Sequence, residues 1–260
     1  MNAAFSEITE TPGIGATREQ LAMLATRYNL AARYARSGAI LEVACGTGIG
    51  LGFLADAGGA VTGNDIDLNN VQIARKTWSG DSRIRVEISD AANLAYGDGS
   101  FISVVCFEAL YYFPDLSRCL NEMVRVLMPG GTLVLCSVNP AWSGFNRSPY
   151  TVDYPNPATL TQIVQNLGCE VVVYGGFPDV PCGLAGHIVR AVRRLAVKLH
   201  LIPGSMRGKE LLKKIFLGGT VPMPSKLTQA TAPVEPLTVL PNNTIRGPWK
   251  VFYLTATKII

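Results

Sequence analysis

Apolar residues in this chain fall into short runs, which alternate with stretches where apolar residues recur every three or four positions. The short runs predict strands at Ile40–Ala44, Ala60–Asn64, Ile84–Ile88, Phe101–Phe107, Thr132–Val138, Glu170–Tyr174 and Trp249–Thr257. The stretches of helical spacing predict helices at Ile49–Asp56, Leu68–Lys76, Leu116–Leu127 and Pro157–Leu167, the third ended by Pro129-Gly130-Gly131. This alternation indicates a doubly wound α/β fold, with a parallel sheet covered by helices on both faces.

Two segments lie outside the alternation. Residues 14–36 predict an N-terminal helical region, and residues 177–247 form a long insertion with two more predicted helices, Leu184–Leu199 and Lys209–Leu217. We therefore expect an N-terminal lid at 1–36, a core at 37–176, a basic helical cap at 177–247 and the last strand of the sheet at 248–260.

The composition is that of a globular protein, with 48% hydrophobic and 16% charged residues among 260. The first residues have neither the basic start nor the apolar stretch of a signal peptide, and no apolar run is long enough to cross a bilayer. Six scattered cysteines contain no Cys-x-x-Cys pair, so we expect reduced thiols and no structural metal site. Together these features predict a cytoplasmic protein.

Positive charge is concentrated in the insertion. Residues 182–217 hold eight basic residues against Glu210 alone, whereas the net charge of the whole chain is only +4. Four of the eight share one face of the first predicted cap helix. This face could be a solvated surface, a site for an anionic substrate carrier, or a contact with an acidic membrane through residues 184–217. The pattern does not indicate an oligomeric state.

The segment Ile40–Gly48, ILEVACGTG, is a predicted strand that ends in glycines and leads into a helix. Such a turn offers unpaired backbone N–H groups and lets a ligand approach closely, so it is a nucleotide site. The G-x-G-x-x-G spacing of dinucleotide sites would need glycine at Leu51 or Phe53 and is absent. Glu42 is also unsuited to a pyrophosphate and would suit a cationic amino group.

Two further carboxylates follow predicted strands. Asp65 ends the second strand, where it can accept both hydroxyls of a ribose. Asp90 follows the third strand, where it can accept from an adenine amino group while the Ala91 N–H donates to the ring. Ile66 could cover the adenine face. An adenosyl group is therefore the predicted ligand.

Five segments in order, LEVACGTG, VTGNDID, SDAANLAYGDGSF, VVCFEALYYF and EMVRVLMPGGTLVL, resemble the class I S-adenosylmethionine-dependent methyltransferases over roughly residues 38–140. They look most like the branch that modifies small molecules such as quinones, sugars and natural products. The resemblance implies a Rossmann-like seven-stranded sheet whose last strand is antiparallel. It implies S-adenosylmethionine as the cofactor.

The resemblance also implies roles for particular residues. Glu42, Gly46 and Gly48 would surround the methionine part, Asp65 the ribose, and Asp90 and Ala91 the adenine, with the Phe107 backbone near the sulfonium. Ala44 stands in this turn where the family usually has glycine, although alanine is comfortable only at negative φ. In the N-terminal helix, Arg27 and Tyr28 could close over the methionine carboxylate or simply pack there.

Candidate bases for the acceptor are few. Glu108 follows the fourth strand at the mouth of the predicted site, where it is either a base or a helix-start carboxylate. Tyr111 and Tyr112 are expected to line the pocket, with a catalytic role for Tyr111 as the alternative. His187 in the cap is a further candidate base, while His200 reads as a partly buried ring.

Three aromatic residues after the fifth strand, Trp142, Phe145 and Tyr150, are candidates for a substrate wall, with loop packing as the alternative. FEALYYF stands where the family's adenine- and glutamine-modifying members carry an NPPY-like motif, so we do not expect a nucleic-acid partner.

The sequence therefore predicts in-line methyl transfer to a small molecule, with oxygen of a natural product or sugar-type acceptor as the first choice. N- or C-methylation, a non-catalytic S-adenosylmethionine-binding protein and a nicotinamide oxidoreductase are the alternatives.

Overall fold

A computed structural model describes Phe5 and residues 9–35, 38–148, 150–180, 219–241 and 247–259. The helices are α1 (Arg18–Ala32), α2 (Leu51–Gly58), α3 (Leu68–Trp78), α4 (Leu116–Val126) and α5 (Pro157–Asn166). The strands are β1 (Gly15–Ala16), β2 (Ile40–Val43), β3 (Val61–Asp65), β4 (Ile84–Ile88), β5 (Phe101–Phe107), β6 (Leu127–Val138), β7 (Cys169–Pro178), β8 (Val221–Pro222), β9 (Thr238–Val239) and β10 (Trp249–Lys258). A 3₁₀ turn, Leu110–Tyr112, follows β5.

The main sheet has the order β4-β3-β2-β5-β6-β10-β7-β9. Strands β2 to β6 are parallel, whereas β10 is antiparallel to both of its neighbours, β6 and β7. This confirms the Rossmann-like α/β fold with an antiparallel last strand. All seven expected strands are present, and among the described residues the insertion adds one more, the two-residue edge strand β9 beside Tyr174 and Gly175.

Two hydrophobic clusters lie on opposite faces of this sheet. One contains the inward residues of α1, α2 and α3, and the other contains those of α4 and α5. The adjacent strand residues Val104 and Val105 belong to different clusters, because successive side chains of a strand point to opposite faces. The sheet is thus covered on both sides, and the carboxyl ends of β2, β3, β4 and β5 meet at one edge.

The structure corrects the boundary after α4. We predicted a stop at Pro129-Gly130-Gly131 and a strand from Thr132, but β6 begins at Leu127 and runs through the three residues. Leu127 pairs with Phe101, and the register then shifts before Ser103 pairs with Thr132. The proline and the two glycines lie at this irregularity, because they would not fit into regular pairing between strands.

The N-terminal helix α1 lies inside the predicted helical region, and Thr17 and Gln20 cap its start reciprocally. β1, just before it, pairs with β8 from the insertion. The predicted helices Leu184–Leu199 and Lys209–Leu217, with the basic residues on them, lie outside the described residues. The four-part domain division stays a prediction, as does the cytoplasmic location. No helix in the described part of the chain is long and apolar enough to span a bilayer.

Candidate cofactor and active site

The glycine-rich turn between β2 and α2 is left-handed at three positions. Gly46 has φ 57° and Gly48 has φ 73°, which glycine adopts without steric cost. Ala44 also has a positive φ of 56°, in a region that costs a residue with a Cβ roughly 1–2 kcal/mol. The turn therefore keeps the backbone path of a glycine at Ala44, and its strain is stored beside the predicted ligand.

Glu42 lies in β2 below this turn and is only 2% exposed. Burial raises the pKa of its carboxyl to about 7, although a hydrogen bond from the Tyr28 hydroxyl to Oε1 acts in the opposite direction. No donor among the described residues reaches Oε2. A buried carboxylate oxygen without a partner is an unfavourable arrangement that an amino group would relieve. The geometry therefore fits the predicted contact with a cationic amino group.

Asp65 at the end of β3 connects the strand to the glycine turn. Its carboxylate accepts hydrogen bonds from the backbone N–H groups of Gly46, at 2.8 Å, and Asp67, at 2.9 Å. Asn70 Nδ2 donates to the same group at 3.3 Å. Burial raises the pKa of Asp65, and these donors oppose that effect. Asp65 thus shapes the turn as well as lining the cavity, and its ribose contact stays a prediction.

An apolar shelf adjoins the end of β4. Ile66 is 56% exposed, a large value for isoleucine, and lines the same cavity as Asp90 and Ala91. Asp90 Oδ1 accepts from the Ala92 N–H at 2.9 Å, so its side chain is held beside the shelf. An exposed isoleucine next to a fixed carboxylate suits a flat ring with an amino group, and the contact with adenine stays a prediction.

Arg27 in α1 is one of three cationic side chains among the described residues that line the cavity, together with Arg118 and Lys250. Its Nη2 lies 2.5 Å from Oε2 of Glu10, and its buried Nε has no partner among the described residues. The N-terminal strap, residues 9–13, brings Glu10 there. Thr47 Oγ1 donates to the Glu10 carbonyl at 3.0 Å, and Asn70 Nδ2 donates to Thr9 Oγ1 at 3.2 Å. The strap therefore lies against the glycine turn.

Glu108 follows β5 directly and adopts a left-handed backbone, with φ 53°. The Tyr111 hydroxyl donates to its Oε2 at 3.1 Å, and the Cys136 thiol donates to its Oε1 at 3.5 Å. Burial raises the pKa of Glu108, while the nearby Arg27 guanidinium lowers it. The strained backbone and the two donors hold one carboxylate at the end of the strand.

Aromatic rings surround this carboxylate. The rings of Tyr111 and Tyr112 lie 4.5 Å apart, and Phe5 packs edge-on against Tyr112 at 5.5 Å. Tyr150 lines the cavity as predicted, as does Trp142. Phe145 instead packs against Tyr154, with ring centroids 4.7 Å apart, and does not line the cavity.

One cavity of about 1230 Å³ connects these groups. Most of the predicted site residues line it: Tyr28, Glu42, Ala44, Gly46, Asp65, Ile66, Asp90, Ala91, Phe107, Glu108 and Tyr111. Gly48 lies behind the turn, where its carbonyl accepts from Trp78 Nε1 at 2.7 Å. His187 and His200 lie outside the described residues.

Sequence reasoning missed several residues that line the cavity, namely Phe5, Thr9, Glu10, Gln20, Cys136 and Lys250. Glu10 belongs to no motif and precedes the first predicted helix. Only its position in a charged pair with Arg27 reveals it, and a pattern along the chain does not contain that information.

A model of a methyltransferase domain matches residues 41–135, from β2 to the middle of β6. This stretch carries Glu42, the glycine turn, Asp65, Asp90 and Glu108. Residues 41–135 therefore form a methyltransferase domain of the class I S-adenosylmethionine-dependent kind.

Two curated methyltransferases are similar to part of this chain. The phthiotriol/phenolphthiotriol dimycocerosates methyltransferase of Mycobacterium leprae is 35% identical over 57% of this chain and 52% of its own length. The O-methyltransferase cnsE of Penicillium expansum is 32% identical over 49% of each protein. The chain thus spans about half the length of these two curated relatives.

Solved structures share the fold across nearly the whole chain. The [4+2]-cyclase SpnF superposes with a TM-score of 0.59 over 97% of this chain and 89% of its own, at 17% identity. At this identity the likeness concerns the fold, and the chemistry must be argued from the residues of the cavity.

Proposed function

We propose that this methyltransferase transfers a methyl group from S-adenosylmethionine to a hydroxyl oxygen of a small molecule such as a natural product or sugar-type acceptor. The observation that carries the proposal is the single cavity, which joins the predicted donor site at Gly46 and Asp65 to the carboxylate of Glu108. A donor and an acceptor held in one cavity react as if at very high local concentration.

Residues of this chain suit the three parts of the donor. Arg27 and the unpartnered oxygen of Glu42 face the region for the amino-acid part, and Asp65 faces that for the ribose. The exposed side chain of Ile66 and the carboxylate of Asp90 suit the adenine. When bound, S-adenosylmethionine supplies a methyl group on a positively charged sulfur.

Glu108 is the group in the acceptor region that we assign as general base. A hydroxyl oxygen that gains a methyl group must lose its proton, and a buried carboxylate can accept it. Tyr111 and Cys136 hold the two carboxylate oxygens and thereby position the base. We assign Tyr111 to positioning. His187, which lies outside the described residues, stays the alternative base.

The relative named as an O-methyltransferase supports oxygen as the acceptor atom. The fold alone does not, because a cyclase shares it. Methylation of a hydroxyl oxygen requires a general base, and the support for such a base therefore comes from Glu108 itself. An amine acceptor would not require this carboxylate to remove a proton before reaction, provided that the amine is uncharged.

Calorimetry with S-adenosylhomocysteine and with NAD tests the donor site. We expect S-adenosylhomocysteine to bind and NAD not to bind, whereas the reverse result would make the protein a dinucleotide enzyme. Turnover of methyl-labelled S-adenosylmethionine against panels of hydroxyl, amine and carbon acceptors then tests the reaction. Absence of any transfer with intact donor binding would favour the non-catalytic alternative.

Glu108→Gln tests the base. We expect the rate of methyl transfer to a hydroxyl acceptor to fall about 100-fold or more, with unchanged binding of S-adenosylhomocysteine. Glu170→Gln, an exposed carboxyl on β7, is the matched control. Full activity of Glu108→Gln would reject Glu108 as the base.

A further inference from the structure

The acceptor region of the cavity is lined by aromatic rings arranged around one carboxylate. We call this region the acceptor lobe and define it by Phe5, Glu108, Tyr111, Tyr112, Trp142 and Tyr150. Ring contacts run continuously through it, from Tyr111 to Tyr112 at 4.5 Å, from Tyr112 to Phe5 at 5.5 Å and from Phe5 to Tyr150 at 6.4 Å. The lobe is therefore a wall of aromatic edges and faces.

The hydroxyl groups of the wall are used within the protein. Tyr111 donates to Glu108, and the Tyr112 hydroxyl shares a hydrogen bond of 2.8 Å with Ser148. Behind Tyr111, the ring of Tyr154 stacks at 4.5 Å with an interplanar angle of 24°. Because Tyr111 and Tyr112 also line the cavity, the apolar parts of their rings on that side can contact a ligand, and flat rings pack well against aromatic rings.

Among the residues of the wall, Tyr150 gives the most direct support for a bound ligand. It is 49% exposed and has a φ of 64°, which is uncommon for a bulky residue. Residues held in such strained backbone conformations cluster at active sites and ligand-binding sites.

Two of the cations that line the cavity, Arg27 and Lys250, already have carboxylate partners, whereas a third, Arg118, donates to the carbonyl of Ala92. Arg27 pairs with Glu10 at 2.5 Å, and Lys250 Nζ lies 2.5 Å from Glu19 Oε1. Among the described residues of the lobe, Glu108 is a carboxylate with hydrogen-bond donors but no direct ion pair. An anionic acceptor would therefore meet a carboxylate, and an uncharged acceptor is favoured.

The base also discriminates between kinds of hydroxyl. A phenol has a pKa of about 10, as tyrosine has, whereas the pKa of an aliphatic hydroxyl is far higher and close to that of water. A carboxylate is a weak base, so proton removal from a sugar hydroxyl would be far more unfavourable. The chemistry of Glu108 and the aromatic wall thus favour the same class of compound.

We propose that the acceptor lobe binds an uncharged, planar, phenol-type compound, with its ring against Tyr111, Tyr112 and Tyr150 and its hydroxyl donating to Glu108. The proposal rests on the proposed function and specifies its acceptor class. The sequence left an anionic substrate carrier and a sugar-type acceptor open, and this proposal excludes both.

Calorimetry on the full chain saturated with S-adenosylhomocysteine tests the proposal without turnover. The probes are 2-naphthol, its anionic counterpart 2-naphthoate and the uncharged sugar methyl glucoside. We expect 2-naphthol to bind at least about tenfold more tightly than the other two. Tyr150→Ala should weaken 2-naphthol about five- to tenfold, since one aromatic contact is lost, while Tyr150→Phe keeps the affinity within about twofold. Val172→Ala, an exposed apolar residue outside the cavity, is the control.

Each other outcome overturns the acceptor class. Equal or tighter binding of 2-naphthoate would show an anion site, and equal binding of methyl glucoside would show a sugar site. If none of the three probes binds, or if Tyr150→Ala keeps full affinity for 2-naphthol, the aromatic rings only pack against one another and do not form a binding site. If S-adenosylhomocysteine itself does not bind, the proposed function fails as well. Binding of S-adenosylhomocysteine without 2-naphthol rejects only the acceptor class.

Discussion

The guanidinium of Arg27 and the carboxylate of Glu10 form an ion pair of 2.5 Å inside the cavity that the donor is proposed to occupy. The Arg27 side chain is only 9% exposed and its Nε has no partner among the described residues, so the guanidinium can take a second carboxylate. Arg27 thus offers a place for the carboxylate of an amino acid, and Glu10, together with the unpartnered oxygen of Glu42, offers one for its ammonium group.

We expect Glu10→Gln to weaken S-adenosylhomocysteine about tenfold, because a charge-assisted hydrogen bond to the ammonium group is lost. The affinity for 5′-methylthioadenosine, which lacks the amino-acid part, should stay within about twofold. Calorimetry with both ligands provides the comparison, and Glu170→Gln is the control. Tighter binding of S-adenosylhomocysteine would instead identify Glu10 as a competitor for Arg27, and equal losses for both ligands would indicate a structural role.

Ala44→Gly is expected to stabilise the protein by about 0.5–1 kcal/mol, because glycine adopts the observed φ of 56° without steric cost. The greater freedom of glycine in the unfolded chain offsets part of the gain. Urea denaturation measures the free energy of unfolding. Ala55→Gly in α2 is the contrasting control and should destabilise by about 1 kcal/mol or more. A loss of stability in Ala44→Gly would show that Ala44 contributes packing that outweighs the strain.

Glu42 is expected to make the unfolding free energy depend on pH. Burial raises its pKa to about 7 in the folded protein from an ordinary value near 4.5 in the unfolded chain. Between these values the folded state holds one proton more, so the free energy of unfolding falls as the pH rises from about 4.5 to 7. The contribution is at most about 3 kcal/mol.

Glu42→Gln removes the titrating group and should flatten this part of the profile. Urea denaturation of the ligand-free protein between pH 4.5 and 8 measures the effect, with Glu170→Gln as the control. An unchanged slope in Glu42→Gln would mean that another group carries the pH dependence.

Gly52 is expected to tolerate no side chain. A Cβ at this position would lie 2.2 Å from Cη2 of Trp78, whose indole N–H holds the carbonyl of Gly48. Gly52→Ala should therefore destabilise the protein by about 1–3 kcal/mol and weaken S-adenosylhomocysteine by displacing the turn. Gly80→Ala is the matched control, since nothing lies within 4 Å of its Cβ. Equal stability of the two variants, measured by urea denaturation with tryptophan fluorescence, would contradict this packing.

Much of the core was predictable because local patterns decide it. The start of α3 at Leu68 and both ends of β4 and β5 match the prediction, since a buried strand or an amphipathic helix leaves its period in the sequence. The boundary at Leu127 was not predictable in this way. Pro129 and two glycines read as a break, and only pairing with Phe101 makes them part of a strand.

The sequence by itself determined the alternating α/β core, the glycine-rich turn after its first strand and the carboxylates that end its strands. Each of these depends on residues that are neighbours along the chain, so backbone stereochemistry and periodicity are enough to find them. Only the tertiary structure brought Glu10 to Arg27, Cys136 to Glu108 and Phe5 to Tyr112. The partners in these pairs come from segments 17, 28 and about 100 residues apart, and chain folding rather than local preference sets their distances.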